Sequence, residues 1–287
     1  MTQKRPTPSV TRRRVGSQLR RWRGPMPSGK AAKLMGWDSV KLGRIERGAY
    51  RISAAEVAEY AGHLEVDDKP AVEAVGLAAE QPNGGGWWAP YTKHLTPAYV
   101  DFIELESTAA AVRIHHPALI PGPLQSPGYI RDIITREPIS EAGASRAEAL
   151  VSVRLARQEL LTRASSPVKL HATIPEAALH AQYESPLIMR EQVRKLIDMA
   201  DDPNVSLQVI PLTARPGVVS NSAFTVLDYA HPWAPVVSVD SITGGTHTED
   251  AGHIETFAVL FDRIASIALP VEKSRELLNT HLERITP

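Results

Sequence analysis

The sequence predicts an all-α unit ending near Asp68, followed by an α+β unit with a small sheet from about residue 96 to 287. Three observations predict it. Up to Leu64, apolar residues recur at helical spacing in short stretches stopped by glycine or proline. From Val168 onward, helical stretches alternate with short runs rich in Val and Ile. Between the two lies a polar, Gly-rich connector, and 287 residues suffice for two cores.

The opening residues, MTQKRPTPSV, have two prolines and no periodicity, which predicts a disordered basic arm over 1–10. Val15, Leu19 and Trp22 form one stripe, so a first helix is expected over Arg12–Arg23, ended by Gly24-Pro25. A second is expected over Ser28–Met35, with Ala31, Ala32 and Met35 inward and Gly36 at its end. A third opens at Asp38, a good N-cap, and runs to Arg47 before Gly48. Ser53 and Glu56 form a capping box for a fourth, whose apolar face is Val57, Tyr60, Ala61 and Leu64. Together these predict a compact unit over 11–68.

Residues 69–95 read as a linker, with a short helical stretch near Ala71–Glu80 and then QPNGGGWW. Trp87 and Trp88 are expected to dock this linker on a domain. In the second unit, 96–287, Ser145 with Glu148 at N3 predicts a capped helix over 145–163. Strands are expected over Val168–Thr173, Val205–Pro211, Phe224–Asp228 and Pro235–Ile242. Helices are expected over Pro175–Gln182, Ser185–Met199, Ala251–Ile267 and Val271–Ile285. No internal repeat is visible.

The net charge of zero conceals an asymmetry. Met1 to Arg51 holds 14 Lys or Arg against Asp38 and Glu46, so it carries +12 and the remainder −12. A basic block at one end of a neutral chain is the electrostatic footprint of a polyanionic partner. There is no cysteine, which removes disulfides, thiolate nucleophiles and cysteine metal sites and fits a cytoplasmic location. No apolar run approaches the roughly 18 residues of a membrane helix, and no secretory signal is apparent, so no membrane partner is expected.

The third helix carries the functional reading. At about 100° per residue, Leu42, Ile45, Glu46, Asp38 and Ser39 fall on the core side, while Val40, Gly43, Arg44 and Arg47 face outward with Lys41 flanking. A major-groove helix needs such a face: arginine grips guanine O6 and N7 bidentately, and a valine methyl meets the thymine methyl. Gly43 leaves room for close approach. Double-stranded DNA is therefore the expected partner, with Lys41 and Arg44 reading bases and Arg47 holding phosphates. Glu46 lies on the core side and needs a partner, and Arg23 extends the stripe of the first helix. An Arg23–Glu46 pair with charged groups within about 6 Å is expected, worth on the order of 3–5 kcal/mol if broken.

The Ala32-x-x-Met35-Gly36 stretch, Asp38 as cap and the Ile45-Glu46-x-Gly48 ending resemble the helix-turn-helix of the Cro/C1 (xenobiotic-response-element) repressor family. That resemblance implies a lambda-repressor-like fold for the first unit. It implies that Ser28 stands beside a phosphate and holds it, and that Ser39, Val40, Lys41 and Arg44 face the groove, and it supports the Arg23–Glu46 pair. Lys30, Gly43 and Arg47 complete the expected DNA-binding residues. The loop over 24–27 is about two residues shorter than is usual in that family. Further on, GWW at 86–88, PALIPGPLQSPGYIRDII at 117–134, VRLARQELLTR at 153–163 and NVSLQVIPL at 204–212 resemble an actinobacterial regulator family. In it such a head is fused to an antitoxin-like domain of the DUF5753 family. The resemblance implies a small partner protein encoded nearby and an antitoxin-like role as the alternative function.

Other chemistry finds little support. His115-His116 would point apart on a regular element, and His247-x-Glu249-Asp250-x-x-His253 sits at a helix start where Thr248, Glu249 and Asp250 serve as caps. No nucleophile elbow, phosphate loop or HExxH is present, so no enzyme, no metal and no cofactor are expected. The second unit is left with three readings: a dimerisation platform, a sensor for a small molecule or peptide, or a docking surface for a partner protein. A homodimer on a partly palindromic site is expected, because two heads double the contact.

Overall fold

The computed structural model describes residues 8–82, 85–136, 144–214, 222–241 and 245–285. The chain forms two units: Met1–Ala89 together with Tyr229–Ala234, and Pro90–Asp228 together with Pro235–Pro287. Most of the arm expected over 1–10 lies outside the described residues.

Among the described residues the first unit has five α-helices: α1 (Val10–Arg23), α2 (Ser28–Leu34), α3 (Ser39–Glu46), α4 (Ala54–His63) and α5 (Lys69–Glu80). Their ends are where side-chain chemistry puts them. Asp38 accepts from the Lys41 amide at 2.7 Å, and Ser53 with Glu56 forms the expected capping box on α4. The turn after α2 closes by a Schellman pair: Trp37 N–H donates to the Ala32 carbonyl and Gly36 N–H to that of Lys33, with Gly36 at φ 64°. The end of α3 repeats this device around Gly48, φ 71°. A Cβ on Gly48 would lie 2.8 Å from the Arg13 amide nitrogen, and one on Gly16 would lie 2.5 Å from the Ile45 and Glu46 carbonyls. These two glycines let α1 cross the end of α3 at backbone contact.

Val15, Leu19, Ala31, Ala32, Leu42, Ile45, Val57, Tyr60 and Val75 form one core. Val75 belongs to α5, so the boundary differs from the expectation. The stretch assigned to a linker from residue 69 is a helix of the first unit, capped by Asp68, and its glycine-rich end comes only after it. Its apolar positions are mostly alanine and run all round the helix, so sequence does not single out Ala71 and Val75 as the packed face. Trp88 is buried and Trp87 is partly exposed, the two rings edge to face. The unit is also completed by a distant segment. The Arg14 guanidinium lies 3.7 Å from the Tyr229 ring centroid and donates to the Ala234 carbonyl at 2.8 Å, while Trp233 packs on the core.

The second unit is built on a six-stranded mixed sheet, larger than expected, in the order β3-β2-β1-β4-β5-β6. Its strands are β1 (Ala111–His115), β2 (Lys169–Pro175), β3 (Val205–Ile210), β4 (Phe224–Asp228), β5 (Val236–Val239) and β6 (Thr246–Thr248). β1, β2 and β3 run parallel, and β4, β5 and β6 continue antiparallel from β1. The parallel pairs require helical crossovers. These are α7 (Pro127–Arg136) and α8 (Ala144–Ala156) from β1 to β2, then α9 (Glu176–Leu179) and α10 (Pro186–Met199) from β2 to β3. α6 (Pro97–Ser107) precedes the sheet, and α11 (Ala251–Ile267) and α12 (Val271–Arg284) follow it. Phe261 and Ile264 of α11 pack on Ile210, Phe224, Val226 and Val237.

Two expectations change here. Ser145 is not a cap, because α8 begins at Ala144. The helix expected over 145–163 breaks at Ala156 into a tighter 3-10 turn over Arg157–Leu161. In that geometry residues three apart eclipse, so Arg157 and Leu160 both turn inward.

Candidate nucleic-acid interface

In the first unit, α2, the turn 35–38 and α3 position the side chains named from sequence. Leu42 and Ile45 are buried in the core, and this fixes the rotation of α3. The opposite side is open: Val40 is 57% exposed, Arg47 is exposed, and Gly43 and Arg44 are partly so. Ser39 is exposed as well, whereas the wheel put it on the core side; as the first residue of α3 it stands before the first full turn has packed.

The basic side chains differ in how they are held. The Arg44 guanidinium stands 5.0 Å from the Tyr50 ring centroid and donates to the Tyr50 hydroxyl. Arg47 folds back along α3, its Nη1 3.3 Å from where a Cβ on Gly43 would be. Gly43, read as room for a ligand, thus makes room for its neighbour one turn on. Lys41 is drawn aside: its Nζ is 4.0 Å from the Trp37 ring centroid and 3.5 Å from Glu56 on α4. Hydrogen bonds from Ser53, with help from Lys41, hold the Glu56 carboxyl below its ordinary range. Ser28, partly buried, and Lys30, exposed, stand on the first turn of α2. Among the described residues, no ion pair joins Arg44 or Arg47 to a carboxylate.

Arg23 and Glu46 form a bidentate pair at 2.6 and 3.0 Å, and Arg23 also reaches the Met26 carbonyl at 2.5 Å. Both side chains are largely buried, 12% and 8% exposed. The hydrogen bonds that Arg23 donates to Glu46 raise the Arg23 pKa against the opposing effect of burial. Beside them, burial and then the Glu46 charge push the Tyr60 phenol up to about 12. The pair fastens α1 to α3 and so sets the outward face. Sequence reasoning missed Tyr50, Trp37 and Gly16. Tyr50, two residues past the glycine that ends α3, carried the only legible signal, an exposed aromatic beside a basic helix.

The second unit engages its polar groups internally. Arg157, on the 3-10 turn, donates to Glu106 at 2.7 and 2.8 Å and to the Tyr99 hydroxyl at 2.9 Å. Burial alone would lower the Arg157 pKa, but the Glu106 charge and Tyr99 outweigh it and raise the value. Arg163 ties the carbonyls of Ser107, Ala109 and Ser166, and Gln158 ties those of Gly122 and Gln125. His115 bonds Thr173, while His116 accepts from the Ala118 and Leu119 amides. Burial, then His115 and Arg154, push His116 down to about 4. His247 bonds the Ser238 hydroxyl and the Ala98 carbonyl, and Asp250 caps α11. Among the described residues, no three His, Asp or Glu side chains come together as a metal site would need. Among them too, no helix is long and apolar enough to cross a membrane.

Residues 99–280 match a family model described as "Domain of unknown function (DUF5753)". No curated protein and no solved structure matches the chain.

Proposed function

The chain belongs to the DUF5753 family, and we propose that it is a transcriptional regulator whose first unit is a helix-turn-helix that binds double-stranded DNA in a sequence-specific manner. One observation carries the reading. A short helix capped at both ends is rotated by buried Leu42 and Ile45 so that Ser39, Val40, Arg44 and Arg47 face solvent. A basic helix face evolved only for solubility has no need of exposed Val40 beside two arginines; a duplex groove uses both. The +12 charge of residues 1–51 supports the same partner. Arg44, steadied by Tyr50, reads a base with Val40 and Ser39 beside it, and Arg47, Ser28 and Lys30 hold phosphates. Lys41, drawn toward Trp37 and Glu56, contributes less than the wheel alone suggests. The protein acts as a homodimer on two half-sites about one helical turn apart. The second unit supports the head and receives a signal from a small-molecule or peptide effector or a small partner protein.

The test is selection of bound sequences from a random duplex pool by the full chain, then affinity for the selected site against salt. If each head grips about six phosphates, log K falls against log salt with a slope near −5. A slope near zero, or a pool that never enriches, removes the proposal.

A further inference from the structure

β4 and β5 are antiparallel neighbours whose last paired residues are Leu227 and Val236. A hairpin is ordinarily closed by roughly two to five residues. Here residues 228–235 intervene, and Tyr229–Ala234 belong to the first unit. This strap is fastened to that unit at three places. Arg14 of α1 is 8% exposed, and its guanidinium stands 3.7 Å from the Tyr229 ring centroid and 5.3 Å from that of Trp233. It also donates to the Ala234 carbonyl at 2.8 Å. Trp233 packs on the core, and the turn that aims it closes by its N–H donating to the Ala230 carbonyl at 3.1 Å. His231 Nε2 lies 2.5 Å from a carboxylate oxygen of Asp68, the residue that caps α5.

We infer that Arg14, clamped by this strap, is a positioning residue for the DNA-binding face: it sets α1, and α1 sets α3. The stretch of α1 that Arg14 occupies is the one at backbone contact with the end of α3. The Arg13 amide meets Gly48, and Gly16 meets the Ile45 and Glu46 carbonyls, each too closely for an added Cβ. Backbones in contact have no side chain between them to give way, so a displacement of α1 there passes to α3. Arg14 belongs to the +12 segment, yet its guanidinium is engaged inside the fold and not offered to phosphate. The two ends of the strap are the ends of β4 and β5. An effector that alters the spacing or twist of those strands therefore moves the anchor of Arg14 without touching DNA. That is the route by which the signal assigned to the second unit reaches α3. The inference deepens the DNA-binding reading above and rests on it for its role, whereas the hold of the strap on α1 does not depend on DNA.

The test compares the full chain with Tyr229→Ser, Tyr229→Phe and Arg14→Gln. It reads affinity for the selected site and for random duplex at several salt concentrations, and amide hydrogen exchange without DNA. Tyr229 has no charge to offer a phosphate, so an effect of its loss on binding is a transmitted one. Tyr229→Ser and Arg14→Gln should each lose about fivefold or more on the selected site and less on random duplex, with the salt slope unchanged. Both should speed exchange in α1 and at the end of α3. Tyr229→Phe keeps the ring beside Arg14 and should stay within about twofold of wild type. Arg14→Gln leaves the strap itself intact and keeps a donor for the Ala234 carbonyl, so it decides the matter if Tyr229→Ser does not fold. A folded Tyr229→Ser that binds like wild type overturns the inference. So does an Arg14→Gln that loses equally on both duplexes with a slope smaller by about 1, the mark of a phosphate contact. A wild type indifferent to DNA ends the DNA-binding reading; faster exchange in Tyr229→Ser then still supports the hold of the strap on α1, and unchanged exchange overturns it.

Discussion

Two arginine-bearing segments of this chain use the same side chain in opposite ways. On α3, Arg44 and Arg47 lie on an open face, one leaning on a tyrosine and the other on its own helix at Gly43. Over residues 157–163, Arg157 and Arg163 are fastened to a carboxylate, a phenol and three carbonyls. A guanidinium with its donors satisfied inside the fold holds elements together and has little left for a ligand. One with donors open to solvent beside apolar Val40 is equipped for a partner. How fully the guanidinium donors are engaged inside the fold, more than residue type, is what separates the two segments.

The largest expected effect tests the structural side. Arg157→Met leaves Glu106, 1% exposed, as an unmatched buried carboxylate and should cost on the order of 3–5 kcal/mol of stability. Arg157→Met with Glu106→Leu should recover most of that loss in urea unfolding. A single variant as stable as wild type would show the buried pair to be dispensable and erase the contrast.

Acid should loosen the same region. Folded His116 titrates at about 4, against 6.5 unperturbed, so between these values the unfolded chain binds the extra proton. Its contribution is complete above pH 6.5 and lost as the pH falls toward 4, up to about 3 kcal/mol. His281, also lowered by burial, acts in the same sense, while Asp240, raised by burial, acts in the opposite one. His116→Asn keeps an acceptor for the Ala118 and Leu119 amides without a titrating group. The difference between wild type and variant in urea unfolding across this window should therefore shrink toward acid. A difference independent of pH would mean that His116 is not held neutral.

On the open side the order reverses: Arg44→Ala should barely alter stability, by about 0.5 kcal/mol or less. It should lose about 1–3 kcal/mol of affinity on the selected site and relax the preference at one position. Arg47→Ala should weaken selected and random duplexes alike. Titrations in which Arg44→Ala loses equally on both would remove its base-reading role.

Much of the first unit is legible in sequence because its determinants are local. Asp38, Ser53, Glu56, Gly36 and Gly48 act within a few residues of themselves, and a wheel suffices to bring Arg23 and Glu46 to one seam. β4 and α11 have the bounds expected, since one is a plain apolar run and the other has a cap at Asp250. What escapes is set by distant partners. β1, the central strand, reads AVRIH and becomes a strand through pairing with β2 and β4 on either side. α6 and α7, which both begin at a proline, are assigned no element from sequence. Glu106 and Arg157 are 51 residues apart, and Tyr229–Ala234 joins a unit that otherwise ends at Ala89. Of the candidate site, the face was legible but its tethers were not, because Trp37, Glu56 and Tyr50 lie on other elements.

The smallest effect sharpens the comparison at Gly43. An added Cβ there meets only the flexible end of Arg47, at 3.3 Å, so the substitution displaces a guanidinium and leaves the backbone alone. Alanine inside a helix is favoured over glycine by roughly 0.5–1 kcal/mol. Gly43→Ala should therefore raise the melting temperature while moving Arg47 off α3 toward solvent. If Arg47 meets phosphate by leaving its groove on α3, affinity for random duplex should hold or rise slightly. If the folded-back position is the one that binds, affinity should fall despite the gain in stability. A variant that is both less stable and unchanged in binding would show that α3 is not the rigid, outward-facing helix on which the contrast with Arg157 depends.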